Sequence, residues 1–387
     1  MLRTLAVANY RSLRKLVIPL ERLNIVTGPN GSGKSSLYRA LRLLAETSQG
    51  GLVASLAREG GLQSTLWAGP EQISRGMRSG RIPVQGGRRQ EPVHLRLGFG
   101  SADFGYAIDL GLPIPSGSAF ALDPAIKREC IWAGPLFRRA ALLIDRHGPV
   151  IRATDETGAW QVIPGTVSTF ESMMTEFSDP RSAPEMIAVR ERVRSWRFYD
   201  HFRTDAAAPA RQPQVGTHTP VLSDDGADLA AALQTIREIG DARGLDAAVE
   251  DAFPGARIDI SGSTGWLELN MRQHGLLRPL RAAELSDGTL RYLLLIAVLL
   301  TPRPPELLVL NEPETSLHGD LVPALGRLIA AAAMRSQVIV VTHSDHLIAA
   351  LGSQKGSHSI RLEKVLGETQ MEGLGLLDQP PWEWPAR

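Results

Sequence analysis

Short apolar runs separated by turn residues open the chain, and residues 2–7, 16–20 and 23–27 read as three strands. A Gly-rich turn follows. Leu37, Leu41 and Leu44 then recur at helical spacing and predict an amphipathic helix over 34–46. Residues 60–90 lose the pattern and are rich in Gly, Ser and Arg, which predicts a long surface loop. Alternating runs return between 93 and 163, among them Val93-His-Leu-Arg-Leu97 and Phe104-Gly-Tyr-Ala-Ile108, and predict an antiparallel β layer. Residues 184–199 and 227–252 read as helices, separated by a loop-like Ala/Pro/Gln/Thr stretch at 206–220. Strands near 256–260 and 266–271 lead to an apolar helix over 290–300. Two further runs, 307–310 and 337–341, are apolar at every position but Gln337 and predict strands buried on both faces. No heptad pattern is sustained and no internal repeat occurs. Trp382 and Trp384, set among prolines near the end, are expected to pack onto the body.

Polar clusters break out where these buried strands end. In open α/β sheets the carboxyl ends of the strands are where ligands bind. The run at 307–310 ends in Asn311-Glu312, and the run at 337–341 ends in Thr342-His343-Ser344. Glu312 is therefore a candidate catalytic carboxylate. A histidine at the tip of a buried strand, such as His343, is expected to have a polar task rather than a packing one.

Gly28-Pro-Asn-Gly-Ser-Gly-Lys-Ser35 fits G-x-x-x-x-G-K-[ST] and sits between a predicted strand and a predicted helix. Its glycines let backbone N–H groups turn inward around phosphates, and the helix start adds the positive end of its dipole. Lys34 is expected to reach the β and γ phosphates, and the Ser35 hydroxyl to ligate Mg²⁺. Further on, Ser286 and Gly288 precede the apolar helix at 290–300, another helix start able to meet an anion. Read alone, Ser286 is better taken as an ordinary helix cap.

Composition narrows the picture. A chain of 387 residues can bury one large core or two lobes. Its net charge of +1 supplies no global field toward nucleic acid or membrane, so any such contact must be a local patch. Lone Cys130 excludes an internal disulfide and a cysteine zinc cluster. No apolar run reaches bilayer length and no signal peptide precedes the first strand, so a cytoplasmic protein without membrane contact is expected.

In this order, the motifs resemble the ABC-type ATPases of the RecF and chromosome-maintenance (SMC-like) branch, and most of all its compact bacterial AAA-family members. Asn9 to Ser12, Leu23 to Val26 and Gly28 to Ser36 are similar to that family's opening. Glu284 to Arg291 resembles its signature motif, Leu307 to Leu317 its Walker B strand and D-loop, and Val338 to Ser344 its switch histidine. Trp196-Arg-Phe-Tyr199 resembles a segment of the compact subgroup. The fold implied is α/β: a P-loop NTPase, ABC-type ATPase head with a β-rich amino-terminal layer and a helical insertion. The parts expected are 1–165 (P-loop and β layer), 166–252 (helical insertion) and 253–387 (signature, Walker B, D-loop, switch histidine).

The resemblance implies ATP held by Asn30, Gly31, Ser32, Gly33, Lys34, Ser35 and Ser36, with Mg²⁺ at Ser35 and Asn311. Ser286 and Gly288 of a second copy would cap the γ-phosphate in an ATP-dependent homodimer. Glu312 would orient or deprotonate the attacking water, and His343 would contact the γ-phosphate. Arg11 is expected near the nucleotide, with a surface salt bridge as the alternative. Gln63 is a candidate for the family's Q-loop glutamine, with an exposed loop residue as the alternative. At 311 the family usually has Asp. Asn keeps an acceptor oxygen but loses the charge, which implies either slow hydrolysis or a binding switch with little turnover.

The relatives act in DNA maintenance or defence. Arg75, Arg78, Arg81, Arg88 and Arg89 form a basic stretch that would meet DNA phosphates, or is simply a solvated loop. Only 44 residues follow His343, too few for a nuclease domain, so any nuclease or toxin effector is expected to be a separate polypeptide.

Overall fold

The computed structural model describes residues 1–86, 90, 92, 94–115, 117–155, 157–177, 179–354, 356–375 and 378–387. Two compact units emerge, each assembled from separated stretches of chain: Met1–Glu21, Thr27–Trp196 and Ile360–Arg387 in the first, Arg22–Val26 and Arg197–Ser359 in the second.

An eight-stranded antiparallel sheet forms the first unit's framework. Its order is Leu13–Pro19, Leu2–Tyr10, Leu95–Ser101, Phe104–Gly111, Ala125–Ala133, Leu142–His147, Val150–Thr154 and Trp160–Val162. The expected β layer is therefore larger than the run at 93–163, because the first two strands of the chain join it. Val93, in one of the runs that predicted the layer, lies outside the described residues.

Register explains the core face of this sheet. Val7, Leu97 and Ile108 stand opposite one another in turn, all buried, and Glu129 and Arg146 continue the same row. That ion pair is fully inaccessible at 3.2 Å. It survives because both groups are further hydrogen-bonded: Tyr106 Oη, Ser172 Oγ and the Met173 N–H donate to Glu129, while Arg146 donates to the Gly148, Ser168 and Glu171 carbonyls. Elsewhere on the sheet, Trp382 packs edge-on against Trp132 and Trp384, as the terminal tryptophans predicted.

Helices take their places by the same logic. Lys34–Glu46 forms as read, burying Leu37, Leu41 and Leu44. The loop at 60–90 carries two single-turn helices, Leu62–Thr65 and Arg75–Arg78. The helix expected over 184–199 stops at Ser195, and Arg197–Tyr199 is a strand instead. Trp196 turns extended, and the aromatic run that follows fits a pleat better than a helix. The helix expected over 227–252 is broken into Leu229–Ile239 and Ala242–Ala252, with Gly240 ending one and the Asp241 carboxylate capping the next through the Gly244 N–H at 2.8 Å.

In the second unit, parallel strands lie in the order Arg197–Tyr199, Leu307–Asn311, Gln337–Val341 and Leu23–Thr27. Leu308, Leu310, Val338 and Val340 pack with Leu293, Leu294, Ile296, Leu325 and Ile329 in one apolar core. Helices Asp287–Leu299, Val322–Ala332 and Asp345–Gly352 supply or flank that core. Tyr199 stands opposite Leu310, and Asn311 opposite Val341, so these strands end together. Residues 200, 311–312 and 342–343 thus emerge side by side. Among the described residues, no helix is long and apolar enough to cross a membrane.

Candidate functional site

In the first unit the Gly28 to Ser35 turn has the backbone that a phosphate cradle needs. Gly28, Gly31 and Gly33 all have positive φ (142°, 77° and 111°), open to glycine and rarely to other residues. At Gly33 a Cβ would also lie 2.2 Å from Thr369 Oγ1. Thr369 belongs to the Glu368–Met371 strand and clamps the turn from behind. Its hydroxyl donates to the Ser32 carbonyl at 2.8 Å and lies 2.8 Å from the Ser12 hydroxyl. Helix Lys34–Glu46 starts at Gly33 with no side-chain cap, leaving its first N–H groups to a ligand.

Lys34 Nζ donates to the Gly28 and Pro29 carbonyls at 2.6 and 3.2 Å, acceptors that a charged phosphate oxygen outcompetes. Ser32 Oγ is buried without a hydrogen-bond partner, an orphaned group inside the cradle. Asn30, Gly31 and Ser35 are exposed and Ser36 is half-buried. These features fit a triphosphate, and the exposed Ser35 hydroxyl fits Mg²⁺, a hard cation that takes oxygen ligands.

Arg11, expected among the nucleotide-binding residues, is engaged by Glu59, with its Nη2 and Nε 2.6 and 3.0 Å from Oε2. Tyr10 Oη donates to the same carboxylate at 2.8 Å. Gln63 is exposed on the Leu62–Thr65 turn. Arg75, Arg78 and Arg81 are exposed; Arg88 and Arg89 lie outside the described residues.

Second-unit residues gather at the shared strand ends. His343 Nδ1 lies 3.3 Å from Glu312 Oε1. Glu312 has φ of 48°, a left-handed conformation uncommon for a glutamate, held by its N–H on the Val341 carbonyl at 2.7 Å. Buried Arg291 donates to the Glu312 carbonyl from Nη2 at 3.3 Å. Burial pushes the Arg291 guanidinium below its ordinary pKa, against the opposing pull of Glu314, Asp200 and Glu312. Glu314 accepts a hydrogen bond from Thr342 Oγ1, while its other oxygen is buried without a partner.

Sequence reasoning missed Asp200. It follows the short strand that had been read as the end of a helix, and Asn311 Nδ2 donates to its Oδ1 at 2.6 Å. The alternating aromatic run Trp196-Arg-Phe-Tyr199 was the available signal.

The signature segment is built by another missed residue, Arg211. Only 7% exposed, it donates to the Ala282 and Leu285 carbonyls at 3.0 and 2.7 Å and to Asp287 Oδ1 at 2.7 Å. Ser286 caps helix Asp287–Leu299, its Oγ accepting from the Thr289 N–H at 3.2 Å. Ser286 remains exposed, so the cap reading and the ligand reading share one hydroxyl. A Cβ on Gly288 would stand 3.0 Å from the Ser316 carbonyl of the D-loop turn. Glu284, bound by Arg278 and the Arg281 N–H, has its carboxyl held down to about 2. Among the described residues, no group of three or more His, Cys, Asp or Glu side chains is arranged to hold a metal.

Two family models match the chain. The AAA ATPase domain matches residues 1–65, and the AAA domain described as "putative AbiEii toxin, Type IV TA system" matches 157–349. The chain belongs to the AAA-type ATPase family. A solved SMC head, bound to the C-winged helix domain of ScpA, matches this chain with a TM-score of 0.51 and 15% identity, over 97% of this chain and 98% of that one. That likeness bears out the α/β P-loop fold expected of an ABC-type head. The SMC head domain from Thermotoga maritima gives 0.44 at 15% identity, over 96% of this chain and 97% of that one. An SMC head with an extended coiled coil from Pyrococcus furiosus, bound to the C-terminal domain of ScpA, gives 0.48 at 13%, over 96% and 95%. No curated protein matches this chain by sequence.

Proposed function

We propose that this protein binds and hydrolyses ATP with Mg²⁺, and that two copies close around the nucleotide. The observation that carries the reading is Glu312 poised 3.3 Å from His343 at the ends of adjacent parallel strands. Gly31, Gly33, Lys34, Ser35 and their neighbours Asn30, Ser32 and Ser36 hold the phosphates. Ser35 and Asn311 would hold Mg²⁺, which when bound would neutralise phosphate charge. Glu312 accepts a proton from the attacking water, and His343 steadies that carboxylate and the γ-phosphate. Ser286 and Gly288 of the second copy complete the site, which makes ATP a conformational switch: each contact made only in the closed pair adds differential affinity for it.

A slower variant of the same reading is favoured by Asn311, whose neutral side chain weakens attraction for the metal. In that variant the protein is a nucleotide-dependent switch governing a separately encoded nuclease or toxin. The toxin wording of one matching family model, and the ScpA domains bound to the SMC heads, support a partner polypeptide. The setting we propose is DNA maintenance or anti-phage defence.

Glu312→Gln tests the chemistry. Single-turnover phosphate release is expected to fall by about 100-fold or more, the range of a lost general base, while affinity for nucleotide is retained. Equal release by mutant and wild type would remove Glu312 from the role of base.

A further inference from the structure

The contact between Asn311 and Asp200 restores what the sequence at 311 lacks. A carboxylate only accepts hydrogen bonds, so the group that Asn311 turns toward Asp200 must be its NH₂, and its amide oxygen is directed elsewhere. The pair therefore offers the amide oxygen of Asn311 and the second carboxylate oxygen of Asp200 as oxygen ligands. Together they carry one negative charge, the same as a single Asp at 311 would bring. The charge has moved by one hydrogen bond, onto the neighbouring strand.

The surroundings call for a cation as well. Asp200, Glu312 and Glu314 are carboxylates whose charges all pull on the buried Arg291 guanidinium. Glu314, only 9% exposed, keeps one carboxylate oxygen buried with no donor. A buried carboxylate oxygen without a donor is costly until a proton, a water or a cation meets it, and a divalent cation beside Asp200 would be one such group.

We propose that Asp200 is the charged member of a split metal-shell position, Asp200–Asn311, that attracts the divalent cation accompanying ATP. The inference rests on the ATP reading above and adds to it the residue that supplies the missing charge. Asp200 then offsets Asn311, and slow turnover need not follow from the neutral residue alone. A purely structural Asp200 would do something else: tie the end of the edge strand Arg197–Tyr199 to its neighbour, a task that an amide performs equally well.

The two roles separate on substitution. Asp200→Asn keeps an acceptor for the Asn311 NH₂ and removes only the charge. The exchange Asp200→Asn with Asn311→Asp returns the charge to the other strand. Mn²⁺ binding is followed by electron paramagnetic resonance in full-length protein saturated with a non-hydrolysable ATP analogue, alongside analogue affinity in EDTA. Wild type is expected to take up one Mn²⁺ per nucleotide. Asp200→Asn should bind it about tenfold or more weakly, with metal-free analogue affinity unchanged, and the exchange should recover to within about threefold of wild type. Unaltered Mn²⁺ affinity in Asp200→Asn, or an exchange as weak as that single variant, would overturn the role of Asp200 and leave the ATP reading standing. Wild type that binds neither analogue nor Mn²⁺ would overturn both.

Discussion

Glu312 occupies a left-handed backbone conformation that costs an L-residue about 1–2 kcal/mol, and the fold holds it there with the Val341 carbonyl and Arg291. Strain of this kind persists where surrounding structure over-determines it, and it clusters at functional sites. The carboxylate is thereby turned toward His343 rather than continuing along its strand. Glu129 is the opposite case, a charged residue whose work is internal. Its ion pair with Arg146 is sealed from water, so Glu129→Ala leaves an uncompensated buried guanidinium. Urea unfolding should report a loss of about 3–5 kcal/mol; a change within about 0.5 kcal/mol, as at an ordinary surface site, would show that the pair is hydrated. Single residues were unevenly legible. Glu312, His343 and Lys34 announce themselves because each stands at a strand end or in a turn whose neighbours in sequence give the context. Asp200 does not, because its partner is 111 positions away and no local pattern marks the pairing.

At the scale of elements, the two helix starts differ in how they are held. The phosphate turn is clamped from behind by Thr369, which forbids a side chain at Gly33. The signature segment instead hangs on Arg211, whose fork gathers the Ala282 and Leu285 carbonyls and Asp287. Lysine keeps the charge but not the fork. Arg211→Lys should cost about 1.5–3 kcal/mol locally, read as amide hydrogen exchange at 282–287 accelerated roughly tenfold or more, with exchange in 28–46 unaltered. Unchanged exchange at 282–287 would mean that the segment is held by other contacts. Elements with a clean period, such as Lys34–Glu46 and Gln337–Val341, were readable to the residue. The helix at 184 was readable at its start, where Pro184 and the spacing of Met186, Val189 and Val193 are unambiguous. Its end was not, because the aromatic run beyond Ser195 becomes a strand only through pairing with Leu308 to Leu310, far along the chain. The break at Gly240-Asp241 had a local signal, a helix-ending glycine followed by a capping aspartate.

For the whole molecule, the order of the motifs revealed the fold class because phosphate turn, signature, Walker B and switch histidine each carry a short-range pattern. The division of the chain was less legible. Strand Leu23–Thr27 pairs with Gln337–Val341 although the strands on its amino-terminal side join the antiparallel sheet, and nothing local foretells that parting. We propose that ATP is hydrolysed at a site completed by Ser286 and Gly288 of a second copy. Mg²⁺-dependent phosphate release per molecule across a dilution series, with Glu312→Gln as background, measures this. The rate per molecule is expected to rise with protein concentration and then level off as pairs saturate. A rate that stays constant from well-dissociated single copies upward would contradict it.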